Sequence, residues 1–271
     1  AKTVLPSMRS LQFGGEAILR NHARLFNCSF SPVDRLEFFR EYLFLLLAGT
    51  GCGFSVQRQH TGRLPALPLR GDEMELPVVH HTIADTIEGW ADALHLLMRS
   101  HWERFKAEFN YSGVRPRGSQ LHTSGGKAPG HLPLKSALLD IEAVLNSASG
   151  RQLRPVEIYD ICMFAARSVL SGGIRRSATI CLFSPDDQEM MDAKTGDWFS
   201  KHPQRSASNN SAVVPRAAGD DSLFRKLFAA QREALGARDR LVFSVADSGP
   251  GIVAEEQARI FEPFMQGETG A

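Results

Sequence analysis

Four cysteines carry the widest range of chemistry in this sequence, because a thiol can be a nucleophile, a metal ligand or a redox carrier. Cys28 lies in the polar stretch NCSF. Cys52, Cys162 and Cys181 lie in apolar surroundings, where a cysteine is usually a small buried side chain. The wide spacing and the lack of a C-x-x-C pair argue against a zinc site and against a secreted disulfide scaffold. The residues alone leave Cys28 open between a buried structural role and redox chemistry.

Side chains suited to phosphate occur in GGIRRSAT, which contributes Gly172, Gly173, Arg175 and Arg176. Glycine lets a backbone approach a ligand closely, and guanidinium groups suit phosphate oxygens. Adjacent arginines at the start of a strand are, however, more often solvated or paired with carboxylates such as Asp186. Both interpretations stay open at this point.

A second glycine loop, SGGKAPG, places Ser124, Gly125, Gly126 and Lys127 together. A lysine and free backbone N–H groups attract anions. The loop lacks the spacing of a Walker motif, so the sequence does not predict a P-loop.

The elements that must position these residues alternate between helices and strands. The predicted helices cover 34–48, 82–105, 134–148, 155–171 and 186–196, and the predicted loops cover 60–77 and 118–133. Three segments, 49–57, 172–184 and 202–214, each predict a turn or polar loop that runs into a strand. The alternation predicts an α/β fold with a mostly parallel sheet.

Composition adds bounds on the class of protein. The 271 residues are 43% hydrophobic and 23% charged, as in a globular protein with ample core. The formal net charge of +1 gives no pointer to nucleic acid or to an anionic membrane. The best apolar run, 36–49, is too short and too charged to span a bilayer, so we expect a core helix. Without a signal peptide we expect a cytoplasmic protein, and the alanine at position 1 suggests a fragment.

Several motifs in a fixed order resemble the adenosylcobalamin-dependent (class II) ribonucleotide reductases, especially the monomeric triphosphate type. They are NCSF, GTGCGFSVQ, DTIEGWADAL, SGVRPRGSQLHTSGGKAPGHLP, RPVEIYDICMFAARSVLSGGIRRSATICLFSPDDQEMM and HPQRSASNNSAVV, within residues 1–235. The resemblance implies the first half of a ten-stranded α/β barrel, with five parallel strands and the helices outside. It also implies adenosylcobalamin, a nucleotide substrate, a deoxynucleotide effector and a thioredoxin-type reductant.

The resemblance assigns roles to individual residues. It implies that Cys28 is one of the two reducing thiols, which must lie close to the sugar and cycle through a disulfide. The residues that it implies for the substrate are Ser7, Ser29, Gly172, Gly173 and Arg175. The residues that it implies for the effector and for its allosteric communication with the active site are Asp85, Lys127, Gln204, Arg205, Ser206 and Asn209, the last followed by Asn210. From the residues themselves, Ser7 is as compatible with a turn and 202–208 with a polar connection.

The radical cysteine of that family lies in an NPCxE-like motif that this sequence does not contain. Without the radical thiol the 3′ hydrogen of the substrate cannot be abstracted, whatever else binds. We therefore expect no reductase turnover by this chain alone.

The last segment, 237–271, differs in character and resembles the ATP-binding domain of sensor histidine kinases. DSGPGI supplies Asp247, Gly249 and Gly251, which the resemblance places at ATP, and RIFEPFMQ matches its phenylalanine box. From the residues alone, Asp247 is also compatible with a turn aspartate. Too little of the domain is present to enclose ATP, so kinase activity is not expected. A nucleotide-binding regulatory fusion is the alternative function, and a misassembled join near residue 236 is the alternative origin.

Overall fold

A computed structural model describes residues 8–71, 75–121, 126–170, 178–214 and 225–229. In these ranges helices and parallel strands follow one another along the chain, which confirms the predicted α/β class. None of the helices in these ranges is long and apolar enough to cross a membrane.

The elements follow one another in this order: α1 Met8–Phe13, α2 Glu16–Arg20, β1 Cys28–Pro32, α3 Glu37–Ala48, β2 Gly51–Ser55, α4 Arg58–Thr61, β3 Val78–Thr82, α5 Ile87–Trp102, β4 Lys106–Asn110, α6 Leu132–Ser147, α7 Pro155–Leu170, β5 Thr179–Phe183, α8 Gln188–Asp192, α9 Trp198–Lys201 and β6 Asn209–Ala212. Two 3-10 turns, His22–Leu25 and Pro203–Ala207, lead into β1 and β6 respectively.

The main sheet has four strands in the order β1-β2-β5-β6, and every neighbouring pair is parallel. Side chains alternate between the two faces of a strand. In β5, Cys181 and Phe183 are buried, whereas Ile180 between Thr179 and Cys181 is 38% exposed. The sheet therefore has one covered face and one face that the described residues leave open.

Helices α3 and α7 cover the buried face. Tyr42 of α3 packs its ring 5.5 Å from that of Phe54 on β2 and hydrogen-bonds the hydroxyl of Thr179 on β5 at 3.2 Å. Tyr159 of α7 reaches the hydroxyl of Ser208, just before β6, at 2.9 Å. The tyrosine rings thus pack in the core while their hydroxyl groups are hydrogen-bonded, and these contacts orient the helices on the sheet.

A second parallel sheet consists of two strands, β3 and β4. In the chain, β3 precedes α5 and β4 follows it. Helix α5 begins at a Thr86 cap, whose hydroxyl accepts the amide N–H of Gly89 at 3.0 Å. Helix α5 packs on α3, and α6 packs on α7, in one hydrophobic core.

The sequence located most helices to within a few residues, and it was wrong in two places. The predicted helix over 82–105 begins only at Ile87, because Thr82 belongs to β3 and Thr86 is the cap. The predicted loop over 60–77 opens inside α4. The strands β1, β3 and β4 were not predicted at all. The half barrel stays a prediction, because four strands of the expected five form the main sheet within the described residues.

A compact ion-pair network closes the start of α7. Both carboxylate oxygens of Glu157 accept hydrogen bonds from Arg151, at 2.7 and 2.8 Å, and the backbone N–H of Arg154 donates to the same carboxylate at 2.9 Å. Burial alone would raise the pKa of Glu157, but the hydrogen bonds from Arg151 and Arg154 outweigh it and lower the pKa to about 2. The charged form of Glu157 therefore stabilises the fold.

We predict that Glu157→Gln lowers the free energy of unfolding by about 1–3 kcal/mol at neutral pH, because it removes charged hydrogen bonds from a largely buried site. In the unchanged protein this stabilisation is present above pH 4.5, the ordinary pKa of the group, and is lost as the pH falls toward 2. Urea unfolding between pH 7 and pH 2 measures both effects. Glu103→Gln, at an exposed pair on α5, is the control and should change little. An identical pH dependence in Glu157→Gln and the unchanged protein would contradict the account.

Candidate functional site

The uncovered face of the main sheet carries Cys28. Cys28 opens β1, is exposed, and pairs with Gly51 of β2 in the parallel register. The side-chain amide of Asn27 lies 3.4 Å from its sulfur. Because Gly51 has no side chain, the thiol has no neighbour on β2 that would screen it from this face.

The other three thiols lie on the opposite side of the sheet or in the core. Cys52 is buried, and its pKa is raised to about 11, chiefly by burial, with the hydroxyl of Ser29 opposing the shift from 3.4 Å. Burial also raises the pKa of Cys162 and Cys181 well above the ordinary value. A thiol held in the protonated form is a poor nucleophile. All four cysteines are described, so Cys28 is the one thiol of this chain that is open to solvent.

Phe30 and Ile180 form the apolar part of this face. A Cβ built on Gly53 would lie 3.0 Å from the Phe30 ring and 3.2 Å from an Ile180 methyl carbon, so the two side chains close over the glycine. Phe30 is nevertheless 56% exposed. The face therefore offers a flat apolar surface beside a thiol.

The turn Pro203–Ala207, at the far edge of the same sheet, is clamped to α7 by a buried ion pair. Arg205 donates from Nε and one terminal nitrogen to the two carboxylate oxygens of Asp160, at 2.8 and 2.7 Å. Gln204 donates to the same carboxylate at 3.0 Å, and the second terminal nitrogen of Arg205 donates to the Ala193 carbonyl at 2.8 Å. Bidentate geometry of this kind fixes orientation as well as distance. The polar side chains of Gln204 and Arg205 thus hold the turn in place.

The backbone of the turn is held as well. The hydroxyl of Tyr159 donates to the carbonyl of Arg205 at 3.2 Å, and the ammonium of Lys194 donates to the carbonyl of Ser208. Burial lowers the pKa of Lys194 to about 8. Ser206 stays exposed on the turn, and Asn209, paired with Ile180, is exposed on the open face.

A second cluster brings two of the predicted effector residues into one neighbourhood. Arg115 forms an ion pair with Asp85 at 2.7 Å and reaches the carbonyl of Gln120 at 3.4 Å. Gln120 forms an antiparallel bridge with Lys127. Asp85, between β3 and α5, therefore lies near the loop after β4 that carries Lys127, while Gln204, Arg205 and Ser206 lie on the turn before β6.

The structure places two of the other predicted residues, Cys28 and Ser29, on opposite faces of the main sheet. The hydroxyl of Ser29 lies beside Cys52, on the face opposite to Cys28. Ser7, Gly172, Gly173, Arg175, Asp247, Gly249 and Gly251 lie outside the described residues, as do Ser124 and Gly125 of the glycine loop. Their roles stay predictions.

Sequence reasoning missed Asp160, the acceptor that organises the turn. Asp160 sits inside the apolar stretch IYDICMF, and a lone carboxylate within a buried helix is a signal that a partner must exist. The identity of the partner, Arg205, requires the fold.

Residues 69–145 match the family model of the B12-dependent ribonucleotide reductase, insertion domain. These residues span β3, α5, β4 and most of α6, the part of the chain that forms the two-stranded sheet and its helices.

Individual relatives match a longer part of the chain. The adenosylcobalamin-dependent ribonucleoside-triphosphate reductase of Lactobacillus leichmannii is 33% identical over 204 residues, covering 64% of this chain and 28% of the relative. The enzyme of the same name from Lactobacillus acidophilus is 34% identical over 143 residues, covering 51% and 19%. The crystal structure of a B-12 dependent (class II) ribonucleotide reductase matches with a TM-score of 0.65 and 28% identity, over 74% of this chain and 35% of that one.

The expected resemblance to B12-dependent ribonucleotide reductases is thereby confirmed in sequence and in fold. The chain spans about 28% of the length of the Lactobacillus leichmannii relative. The resemblance of 237–271 to histidine kinases is not supported by these matches and stays a prediction.

We predict that a thiol reagent modifies one cysteine per chain rapidly under native conditions, because Cys28 is exposed and the other three are buried. Absorbance with an aromatic disulfide reagent at pH 8 measures this fraction. Cys28→Ser should abolish the rapid phase, whereas Cys52→Ala should retain it. Rapid modification of the Cys28→Ser variant would show that another thiol is open.

We predict that Asp160→Asn lowers the free energy of unfolding by about 3 kcal/mol, because it leaves the buried Arg205 cation without its anionic partner. Asp186→Asn, at an exposed ion pair with Arg58, is the matched control and should cost less than about 1 kcal/mol. Denaturant titration compares the two. Equal effects of the two substitutions would mean that the clamp does not stabilise the fold.

Proposed function

We propose that this chain is part of an adenosylcobalamin-dependent ribonucleotide reductase and that a ribonucleotide lies on the uncovered face of its main sheet. The observation that carries the proposal is the single exposed thiol, Cys28, on the open face of a parallel sheet. Parallel sheets are normally covered on both faces, so an open face calls for an occupant. The sequence and fold similarity to class II reductases supports a nucleotide as that occupant.

The proposed role of Cys28 is that of a reducing thiol. Replacing the 2′-hydroxyl of a ribose by hydrogen requires two electrons, and two thiols supply them by forming one disulfide while the oxygen leaves as water. A thiol in this role must reach the sugar and must also be re-reduced afterwards. The exposure of Cys28 meets both requirements, and a thioredoxin-type protein is the proposed reductant.

The turn before β6 is the proposed route by which an effector deoxynucleotide influences the site. Gln204 and Arg205 hold the turn through Asp160, so the residues left to contact a nucleotide are Ser206 and Asn209. Asp85, before α5, and Lys127, on the loop after β4, form the second proposed effector contact. In this proposal the ion pair between Asp160 and Arg205 fixes the position of the turn, and Ser206 and Asn209 contact the ligand.

Adenosylcobalamin belongs to the proposal through the names of the relatives. When bound, it would supply the radical that begins the reaction. Phe30 and Ile180 lie beside Gly53 as a flat apolar surface, and we assign none of the described residues to the corrin ring. ATP at Asp247, Gly249 and Gly251 likewise stays a prediction.

We expect a ribonucleoside triphosphate at millimolar concentration to slow the reaction of Cys28 with a thiol reagent, because a bound nucleotide shields the open face. Asn209→Ala should weaken this protection, since Asn209 shares that face. Ser147→Ala, whose hydroxyl bonds within α6, is the control and should leave the protection unchanged. Inorganic triphosphate tests whether the base and sugar are needed. A labelling rate that does not respond to any nucleotide would rule out this site.

A further inference from the structure

Lys194 is a partly exposed lysine on the segment between α8 and α9. Its ammonium group donates to the backbone carbonyl of Ser208, the residue that precedes β6, through a hydrogen bond that is only partly buried. The same nitrogen lies 5.6 Å from the ring centroid of Trp198 on α9. Lys194 therefore ties the segment after α8 to the start of β6, and part of its side chain remains in contact with solvent.

Lys194 forms no ion pair with a carboxylate of the residues that the structure describes. The groups that influence its charge are Arg205 on the turn before β6, which is a second cation, and the thiol of Cys181 on β5. Because burial raises the pKa of Cys181 well above its ordinary value, this thiol is uncharged at neutral pH and supplies no counterion. Burial lowers the pKa of Lys194 to about 8, the cation of Arg205 adds to the shift, and Cys181 opposes it.

A neutral amine at this position can keep its bond to Ser208 and still act as a nucleophile. One N–H of the amine donates to the carbonyl, and the lone pair on the nitrogen is available to attack an electrophilic carbon. Desolvation and a neighbouring cation are two features that activate lysine amines in proteins. Lys194 has both, because it is partly buried and lies near Arg205.

We propose that Lys194 is an acylation site and that its modification loosens the turn before β6. The co-reactant is an acyl phosphate or an acyl thioester. The neutral amine attacks the acyl carbon and forms a C–N bond, the bond from that carbon to the phosphate oxygen or the thioester sulfur breaks, and the leaving group takes up the proton that the amine loses. The product is a neutral amide, and nothing is oxidised or reduced.

The amide would hold the start of β6 less firmly than the ammonium does. Acylation removes the charge that strengthens the hydrogen bond to Ser208 and the contact with the Trp198 ring. It also adds an acyl group to a partly buried side chain. Asn209, which follows Ser208 on the open face, then loses one of its attachments to the covered side. The proposal does not rest on the proposed reductase function, because the reaction involves neither Cys28 nor a nucleotide.

The first test is peptide mass spectrometry of the full chain after brief treatment with acetyl phosphate, repeated with an acetyl thioester. At pH 8 we expect Lys194 to be acetylated at least about tenfold faster than the exposed Lys201, because only about 0.4% of an ordinary lysine amine is neutral at this pH. The ratio should fall at pH 10, where ordinary lysine amines also become neutral. Preference for Lys194 with both reagents shows that the amine, rather than the phosphate of the reagent, directs the reaction.

Equal or slower acetylation of Lys194 relative to Lys201 at pH 8 would overturn the proposal. So would a preference for Lys194 that is present with acetyl phosphate and absent with the thioester. Neither result needs a variant, so both hold even if a substitution at Lys194 unfolds the chain.

The second test measures whether the modification loosens the turn. Hydrogen exchange followed by mass spectrometry should show faster exchange in residues 203–212 of the acetylated chain and of Lys194→Gln, which mimics the neutral amide. Lys194→Arg keeps the charge and should exchange more slowly in these residues than Lys194→Gln. Lys201→Gln is the matched control and should behave as the unchanged protein does. Unchanged exchange in residues 203–212 after complete acetylation of Lys194 would contradict the loosening.

Discussion

A parallel sheet covered on one face is the constraint on which this structure depends. Strands of a parallel sheet carry apolar side chains on both faces and are ordinarily sandwiched between helices. Here α3 and α7 cover one face, whereas Phe30 and Ile180 remain exposed on the other. The covered face supplies the core that holds the strands in register. The open face supplies a surface whose chemistry is set by what the strands place on it, above all Cys28.

The clamp between Asp160 and Arg205 connects the two sides of that arrangement. It joins α7, on the covered side, to the turn that precedes β6 and therefore to Asn209 on the open side. A buried ion pair contributes little net stability, but losing one partner is costly, which makes the geometry of the turn well defined. The position of Asn209 on the open face is thus determined by packing on the opposite side of the sheet.

The sequence was a good guide to helices and a poor guide to short strands. Long apolar periodicity located α3, α6 and α7, because a helix buries a stripe that is visible over many residues. β1 is five residues long and half polar, so Cys28 was identified through the motif around it rather than through the strand that carries it. Sequence also named Arg205 as a site residue, but only the fold shows that Asp160 already holds it.

The most direct test of the open face is a methyl NMR titration of the isoleucine-labelled chain with a ribonucleoside triphosphate. Ile180 projects from the open face, whereas Ile141 and Ile158 are almost completely buried in the core and serve as internal references. We predict a saturable shift of the Ile180 methyl resonance, with the two core resonances unchanged. A titration in which Ile180 does not move, or moves no more than the core methyls, would contradict the assignment of the nucleotide to this face.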